Sequence, residues 1–133
     1  MIKVIIAGTR DFNDYAFLKK NVDYFLQGIN PNNEEIEIVS GNARGADKLG
    51  ERYAKEYNLP VKLFPANWDK YGKRAGYLRN QEMANYADVL IAFWDEKSKG
   101  TKHMIDIAKK QGLTFIVVGY VLERELYDSK RVI

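Results

Sequence analysis

The strongest constraint on this chain is its opening run, Ile2-Lys3-Val4-Ile5-Ile6-Ala7. A strand with one wet face alternates apolar and polar residues, whereas this run is almost continuously apolar and β-branched, the pattern of a strand buried on both faces. Such a strand needs helices above and below it. The remainder of the sequence supplies them. A helix is predicted from Asp14, capped by Asn13 or Asp14, with Leu18, Val22, Phe25, Leu26 and Ile29 at helical spacing. Further strands are predicted at residues 36–39, 61–64, 88–93 and 114–119. The intervening helices are expected at 46–58, 75–86 and 101–111. The inner face of the 46–58 helix is read as Leu49, Tyr53, Ala54 and Tyr57, and Gly112 follows the last helix as a C′ residue. Residues 65–74 read as a polar, aromatic loop.

Strict strand–helix alternation with short connections leads to an α/β, single-domain Rossmann-like three-layer sandwich with a mostly parallel five-stranded sheet. Right-handed crossovers place the first strand at its centre. Residues 1–119 are assigned to this domain, and residues 120–133 to a C-terminal tail packed on the domain or on a partner subunit.

In open sheets of this kind a ligand sits beyond the carboxyl ends of the strands, where the strand order reverses. The loops after strands one, two and four should therefore meet. The second of them is Ser40-Gly41-Asn42-Ala43-Arg44-Gly45-Ala46-Asp47. Its glycines permit close backbone approach, the following helix start favours an anion, and Arg44 offers a bidentate donor. A tight turn with a helix cap would use the same residues. Gly8-Thr9-Arg10 and Ser98-Lys99-Gly100-Thr101 load the same edge with glycine, hydroxyl and cation, and this convergence favours a phosphate-binding role over capping. Neither a GxGxxG fingerprint nor a GxxxxGK[ST] loop is present.

Trp68, Tyr71 and Trp94 lie in polar loops, where they can stack on a base, cover the core edge or form a dimer contact. Lys70, Lys73, Arg74 and Arg79 form a basic cluster beside the expected crevice. Glu82, Asp95, Asp47 and Asp11 are the carboxylates placed to act as acid or base, and Glu82 stands one helical turn from Arg79, close enough to pair with it. His103 reads as a surface or packed residue.

The chain has no cysteine and one histidine, which removes disulfides, thiol catalysis and His- or Cys-rich metal clusters; neither a metal nor a cofactor is expected. Its net charge of +3, from 21 basic and 18 acidic residues, permits an anionic ligand without pointing to nucleic acid. No apolar run approaches the length of a membrane span, so the expected location is the cytoplasm.

Taken together, Gly8-Thr9-Arg10-Asp11-Phe12, Ser40 to Asp47, Pro65-Ala66-Asn67-Trp68-Asp69, Ala75-Gly76-Tyr77-Leu78-Arg79-Asn80-Gln81-Glu82-Met83 and Ser98-Lys99-Gly100-Thr101 resemble the YspA-like branch of the SLOG superfamily. That superfamily also includes the DNA-processing protein DprA and the Lonely Guy phosphoribohydrolases. The resemblance implies a Rossmann-like fold that binds nucleotides or nucleotide-derived ligands at its glycine-rich loops. Arg79 and Glu82 resemble the arginine and glutamate of the phosphoribohydrolase helix motif. The catalytic glutamate that ends the following signature of those enzymes falls on Met104, which cannot transfer a proton or stabilise a cation by charge.

Three functions follow as expectations. The first is a sensor or ligand-binding module for a nucleotide-like small molecule, using Gly8, Thr9, Arg10, Ser40, Gly41, Arg44, Gly45, Asp47, Arg79, Ser98, Gly100 and Thr101, with Trp68 and Trp94 as base-stacking residues. The second is a nucleotide N-glycosidic-bond hydrolase using Glu82, with Asp95 as a weaker candidate. The third is single-stranded nucleic-acid binding. A homodimer is a further expectation.

Overall fold

In the computed structural model, residues 1–120 are described. They form five strands and five α-helices in the order β1 (Ile2–Gly8), α1 (Tyr15–Ile29), β2 (Ile36–Ser40), α2 (Ala46–Glu56), β3 (Val61–Leu63), α3 (Trp68–Tyr71), α4 (Ala75–Tyr86), β4 (Val89–Trp94), α5 (Lys99–Gln111) and β5 (Thr114–Gly119), with a 3₁₀ turn over Gly72–Arg74 between α3 and α4. The assigned tail lies outside the described residues apart from Tyr120, whose ring packs on Phe12 at 4.7 Å between centroids.

The sheet order is β3-β2-β1-β4-β5, with β1 at its centre. All four pairings are parallel, so the sheet is entirely rather than mostly parallel. Ile2 pairs with Ile36 on one side of β1, and Val4 with Val89 on the other. The pleat divides the central run between two cores. Val4 and Ile6 face a cluster containing Leu18, Val22, Ile38, Tyr53, Ile91 and Phe93, beneath α1 and α2. Ile5 and Ala7 face the opposite cluster of Val39, Met83, Leu90, Ala92, Met104 and Ile105, beneath α4 and α5. Val4, Ile5 and Ile6 are wholly inaccessible. At about 1.5–3 kcal/mol for each fully buried aliphatic side chain, this strand is a main source of the stability that holds its carboxyl end in place.

Asp14 is the α1 cap, its carboxylate accepting from the Phe17 N–H at 3.1 Å. Three local expectations need correction. Tyr57 is 41% exposed rather than on the inner face of α2. The helix ends at Glu56, and the Tyr57 hydroxyl instead donates to Asp23 at 3.1 Å, beside Tyr53, which donates to the same carboxylate at 2.7 Å. Residues 65–74 are largely helical, because the Asn67 side chain accepts from the Lys70 N–H at 3.1 Å and caps one α-helical turn. Finally, β3 covers only Val61–Leu63 rather than 61–64, as an edge strand with every side chain exposed.

Candidate functional site: a two-sided cleft at the sheet edge

The loops after β1, β2 and β4 do meet, with α3 and the first turns of α4 closing one side. They enclose a cleft of about 510 Å³. Thr9 joins them. Its N–H donates to the Phe93 carbonyl at 3.0 Å, and its carbonyl accepts from Phe12 and Ala46 at 3.2 and 3.3 Å. Its hydroxyl accepts the Asp95 N–H at 3.3 Å.

On the β2 side, the loop uses most of its groups to build itself. Ser40 is wholly buried, donating to Glu51 at 2.7 Å and accepting from the Asn42 N–H at 3.1 Å. It does not line the cleft, which corrects its expected ligand role. Gly41 and Gly45 are likewise structural. A Cβ on Gly41 would lie 2.5 Å from the Arg79 guanidinium and 2.8 Å from the Asp47 carboxylate. Gly45 has φ +81° and ψ −130°, a conformation essentially restricted to glycine, and a Cβ there would strike the Thr9 and Arg10 carbonyls. The glycines bring protein groups together here, and the close approach expected to serve a ligand serves the loop.

That packing places a buried carboxylate, Asp47, and a half-buried guanidinium, Arg79, beside one another at the cleft wall. Asp47 is only 5% exposed and accepts the Ala43 N–H at 3.2 Å. Arg79 donates to the Gly41 carbonyl and, at 3.1 Å, to Asn80 Oδ1. Burial pushes the Asp47 carboxyl up to about 6, against the opposing pull of Arg79 and the Ala43 N–H. Burial also lowers the Arg79 pKa, with Asp47 working the other way. Desolvation therefore outweighs mutual attraction at both partners. Arg44, by contrast, projects from the rim with its side chain 76% exposed, 4.0 Å from Asp11.

The β4 side is arranged differently. Asp95 Oδ1 accepts the N–H groups of Lys97 and Ser98, each at 2.9 Å. Burial raises its pKa, but these N–H groups and the Thr9 hydroxyl outweigh burial and hold it below the usual carboxylate value. Ser98 caps α5, accepting from the Thr101 N–H at 3.4 Å, and its hydroxyl lies 3.1 Å from that of Thr101. Gly100 and Thr101 line the cleft, with open space where a Gly100 Cβ would stand. Met104 lies in the floor, the place where the resemblance called for a glutamate.

Two further expectations are corrected. Glu82 is exposed and does not line the cleft, because α4 turns Arg79, Asn80 and Met83 inward and Glu82 away. Arg79 accordingly engages the Gly41 carbonyl beside Asp47. Trp94 also stays out of the cleft. Its indole N–H donates to the Ser98 carbonyl at 3.0 Å, and the ring packs against the α4–α5 core. Trp68 does line it, 49% exposed and 5.7 Å from the Arg10 guanidinium. From the basic cluster, Lys73 and Arg79 reach the cleft; Lys70 and Arg74 do not line it.

Sequence reasoning missed Asn80. It is 6% exposed, and its amide nitrogen lies 3.2 Å from both the Gly100 carbonyl and His103 Nδ1, tying α4 to α5. The available signal was a polar residue within the stripe of Ala75, Asn80, Met83 and Ala84 that α4 buries. His103 packs edge-on against Tyr77 at 4.4 Å, as a packed residue should.

The model of the YspA, cpYpsA-related SLOG family matches residues 2–71. The chain belongs to that family. The SLOG chain is also 34% identical over 125 residues to the Gene 61 protein of Mycobacterium phage D29, covering 90% of this chain and 98% of that one. Its fold is shared by the DNA processing protein A (DprA) of Streptococcus pneumoniae, with a TM-score of 0.69 at 19% identity, covering 99% of this chain and 56% of that one. DprA of Helicobacter pylori, whose structure was described for its single-stranded DNA binding mode, gives a TM-score of 0.62 at 22% identity, covering 98% and 73%. The SLOG chain thus spans little more than half of the pneumococcal protein. No helix among the described residues is long and apolar enough to cross a membrane.

Proposed function

We propose that the cleft binds a nucleotide or nucleotide-derived phosphorylated ligand, and that the protein acts as a binding or sensing module. The observation that carries this reading is the lining itself. Arg10, Arg44, Lys73, Arg79 and Lys97 outnumber Asp11, Asp47 and Asp95, and Trp68 offers a ring face at the mouth. Cations in a concave, partly desolvated site attract phosphate, and an indole stacks on a base. A volume of about 510 Å³ suits a small organic ligand. The hydrolytic reading rested first on Glu82, which faces away from this lining, and only second on Asp95, which lines it; with its leading carboxylate out of place, binding is the function we favour.

Calorimetric titration against a panel of nucleotides tests the proposal. Arg44→Ala removes an exposed cation with little expected effect on folding, and it should weaken the best ligand about tenfold, the range of a lost charge-assisted contact. Absence of any nucleotide binding, or equal affinity in Arg44→Ala, would refute it. A second reading, single-stranded nucleic acid, is favoured by exposed Trp68, Tyr71 and Tyr77 near Lys70 and Lys73 on the α3–α4 flank. It is also consistent with the single-stranded DNA binding described for the Helicobacter DprA. That reading requires oligonucleotide affinity that falls steeply with salt.

A further inference from the structure

We infer that Asn80 and His103 form a proton-operated latch between α4 and α5, closed while the imidazole is neutral and released when it is protonated. The wiring of one amide carries this reading. Asn80 is 6% exposed, and both ends of its side chain meet groups whose roles are fixed. Its Oδ1 faces the Arg79 Nε–H at 3.1 Å, and a guanidinium only donates. Its Nδ2 faces the Gly100 carbonyl at 3.2 Å, and a carbonyl only accepts. Turning the amide over would set N–H against N–H at one end and oxygen against oxygen at the other. The nitrogen therefore directs its two hydrogens at two neighbours, the Gly100 carbonyl and His103 Nδ1, the latter also at 3.2 Å. His103 Nδ1 must then accept, which assigns the neutral ring to the Nε2–H tautomer.

Protonation adds a hydrogen at Nδ1, opposite a hydrogen of the Asn80 amide. Two donors then face one another, and a nearly inaccessible side chain loses one of its bonds. The pair relaxes only by separating, with the ring turning on its contact with Tyr77, whose centroid is 4.4 Å away. The change reaches the cleft directly, since Tyr77, Asn80, Gly100 and Thr101 all line it. The charged groups around the imidazole are Asp106, one turn along α5 and bonded to Lys102 at 2.8 Å, and Arg79 on α4, which acts through the Asn80 amide. Tyr77 is the titratable neighbour that α4 packs against it. Burial holds His103 below its ordinary value of 6.5, against the opposing pull of Asp106. A depressed folded value means that the fold favours the neutral ring. The latch is therefore closed at about pH 7 and opens as pH falls through that lower value.

Nuclear magnetic resonance on the full chain tests the latch, and because His103 is the only histidine its ring signals are unambiguous. Ring nitrogen shifts at about pH 8 should report the Nε2–H tautomer, and the titration midpoint should fall below 6.5. The Asn80 side-chain amide and the Gly100 N–H should follow the same curve. Hydrogen exchange in the first turns of α5, corrected for its intrinsic dependence on pH, should quicken about tenfold between about pH 8 and about pH 5, the effect of one buried hydrogen bond lost. Asn80→Ala removes the donor and should bring the His103 midpoint up toward 6.5. If that variant does not fold, His103→Gln, at a partly buried position, supplies an oxygen that accepts at every pH. It should abolish the change in exchange, which separates the latch from Asp47, titrating at about 6 on the other wall. An Nδ1–H tautomer, a His103 midpoint unmoved by Asn80→Ala, exchange that ignores pH, or a response that survives His103→Gln overturns the inference.

Discussion

The loops after β2 and β4 look alike as sequences: each combines serine, glycine and a cation just before a helix. In the folded chain they differ in what their polar groups face. The β2 loop turns Ser40, Gly41, Gly45 and Asp47 inward and presents Arg44 alone at the rim. The β4 loop spends Ser98 on its own helix cap and leaves Gly100 in open space. A glycine-rich loop can therefore be glycine-rich for the protein's packing or for a ligand's access, and only the neighbouring elements decide which.

The largest expected contrast is between one glycine from each loop. Gly45→Ala forces a side chain into positive φ and against two carbonyls, and should cost about 3 kcal/mol or more in chemical denaturation. Gly100→Ala, in the first turn of α5 with nothing near its Cβ, should be neutral or stabilising by up to about 1 kcal/mol. Comparable losses at both positions would erase the distinction.

The buried carboxylate gives a similar effect that depends on pH. Asp47 titrates near 6 when folded, against an ordinary aspartate value of 3.8. A raised folded-state pKa means that the folded protein holds the proton more tightly. The associated stability is fully present below about pH 4 and is lost as pH rises through 6. The loss amounts to roughly 3 kcal/mol between pH 4 and 7 if the whole shift operates. Asp47→Asn keeps an acceptor for the Ala43 N–H and should remove this slope, measured as the difference between the two stability–pH curves. Parallel curves would show that the carboxylate is not the titrating group.

Ser98→Ala addresses the β4 loop and should have the smallest effect, a loss of about 1 kcal/mol for an N-cap, with inorganic phosphate affinity unchanged. A large loss of phosphate affinity would show that Ser98, which also lines the cleft, serves the ligand as well as the cap.

The pattern of what was legible follows from range. Val4, Ile5 and Ile6 announce burial on both faces because their identity depends only on the layers above and below the sheet, and the central place of the first strand and the meeting of three loops followed. The short α3 turn was hidden because one asparagine cap among aromatic and charged neighbours carries little periodicity. Ser40 and Trp94 read as ligand residues because their actual partners, Glu51 on α2 and the Ser98 carbonyl, depend on folded geometry rather than on local composition. Glu82 had the right neighbours in sequence but the wrong helical phase. Asp95 was legible as a carboxylate near the crevice, but its fixed orientation required Thr9, which lies 86 residues away.

Thr9 also sets a limit on how this cleft can be altered. Its backbone and hydroxyl meet the β2 side at Ala46 and the β4 side at Phe93 and Asp95. It works like the keystone of an arch, whose two flanks can be refaced but not moved apart. New ligand preferences are therefore accessible through rim residues such as Arg44 and Trp68, which can change without disturbing the joint. A substitution at Thr9 would keep the backbone ties to Ala46 and Phe93 and remove only the hydroxyl that meets Asp95. Selection for a different ligand thus has the outer faces of the cleft to work on, while the joint at its centre is fixed by main-chain bonds that no side-chain change reaches.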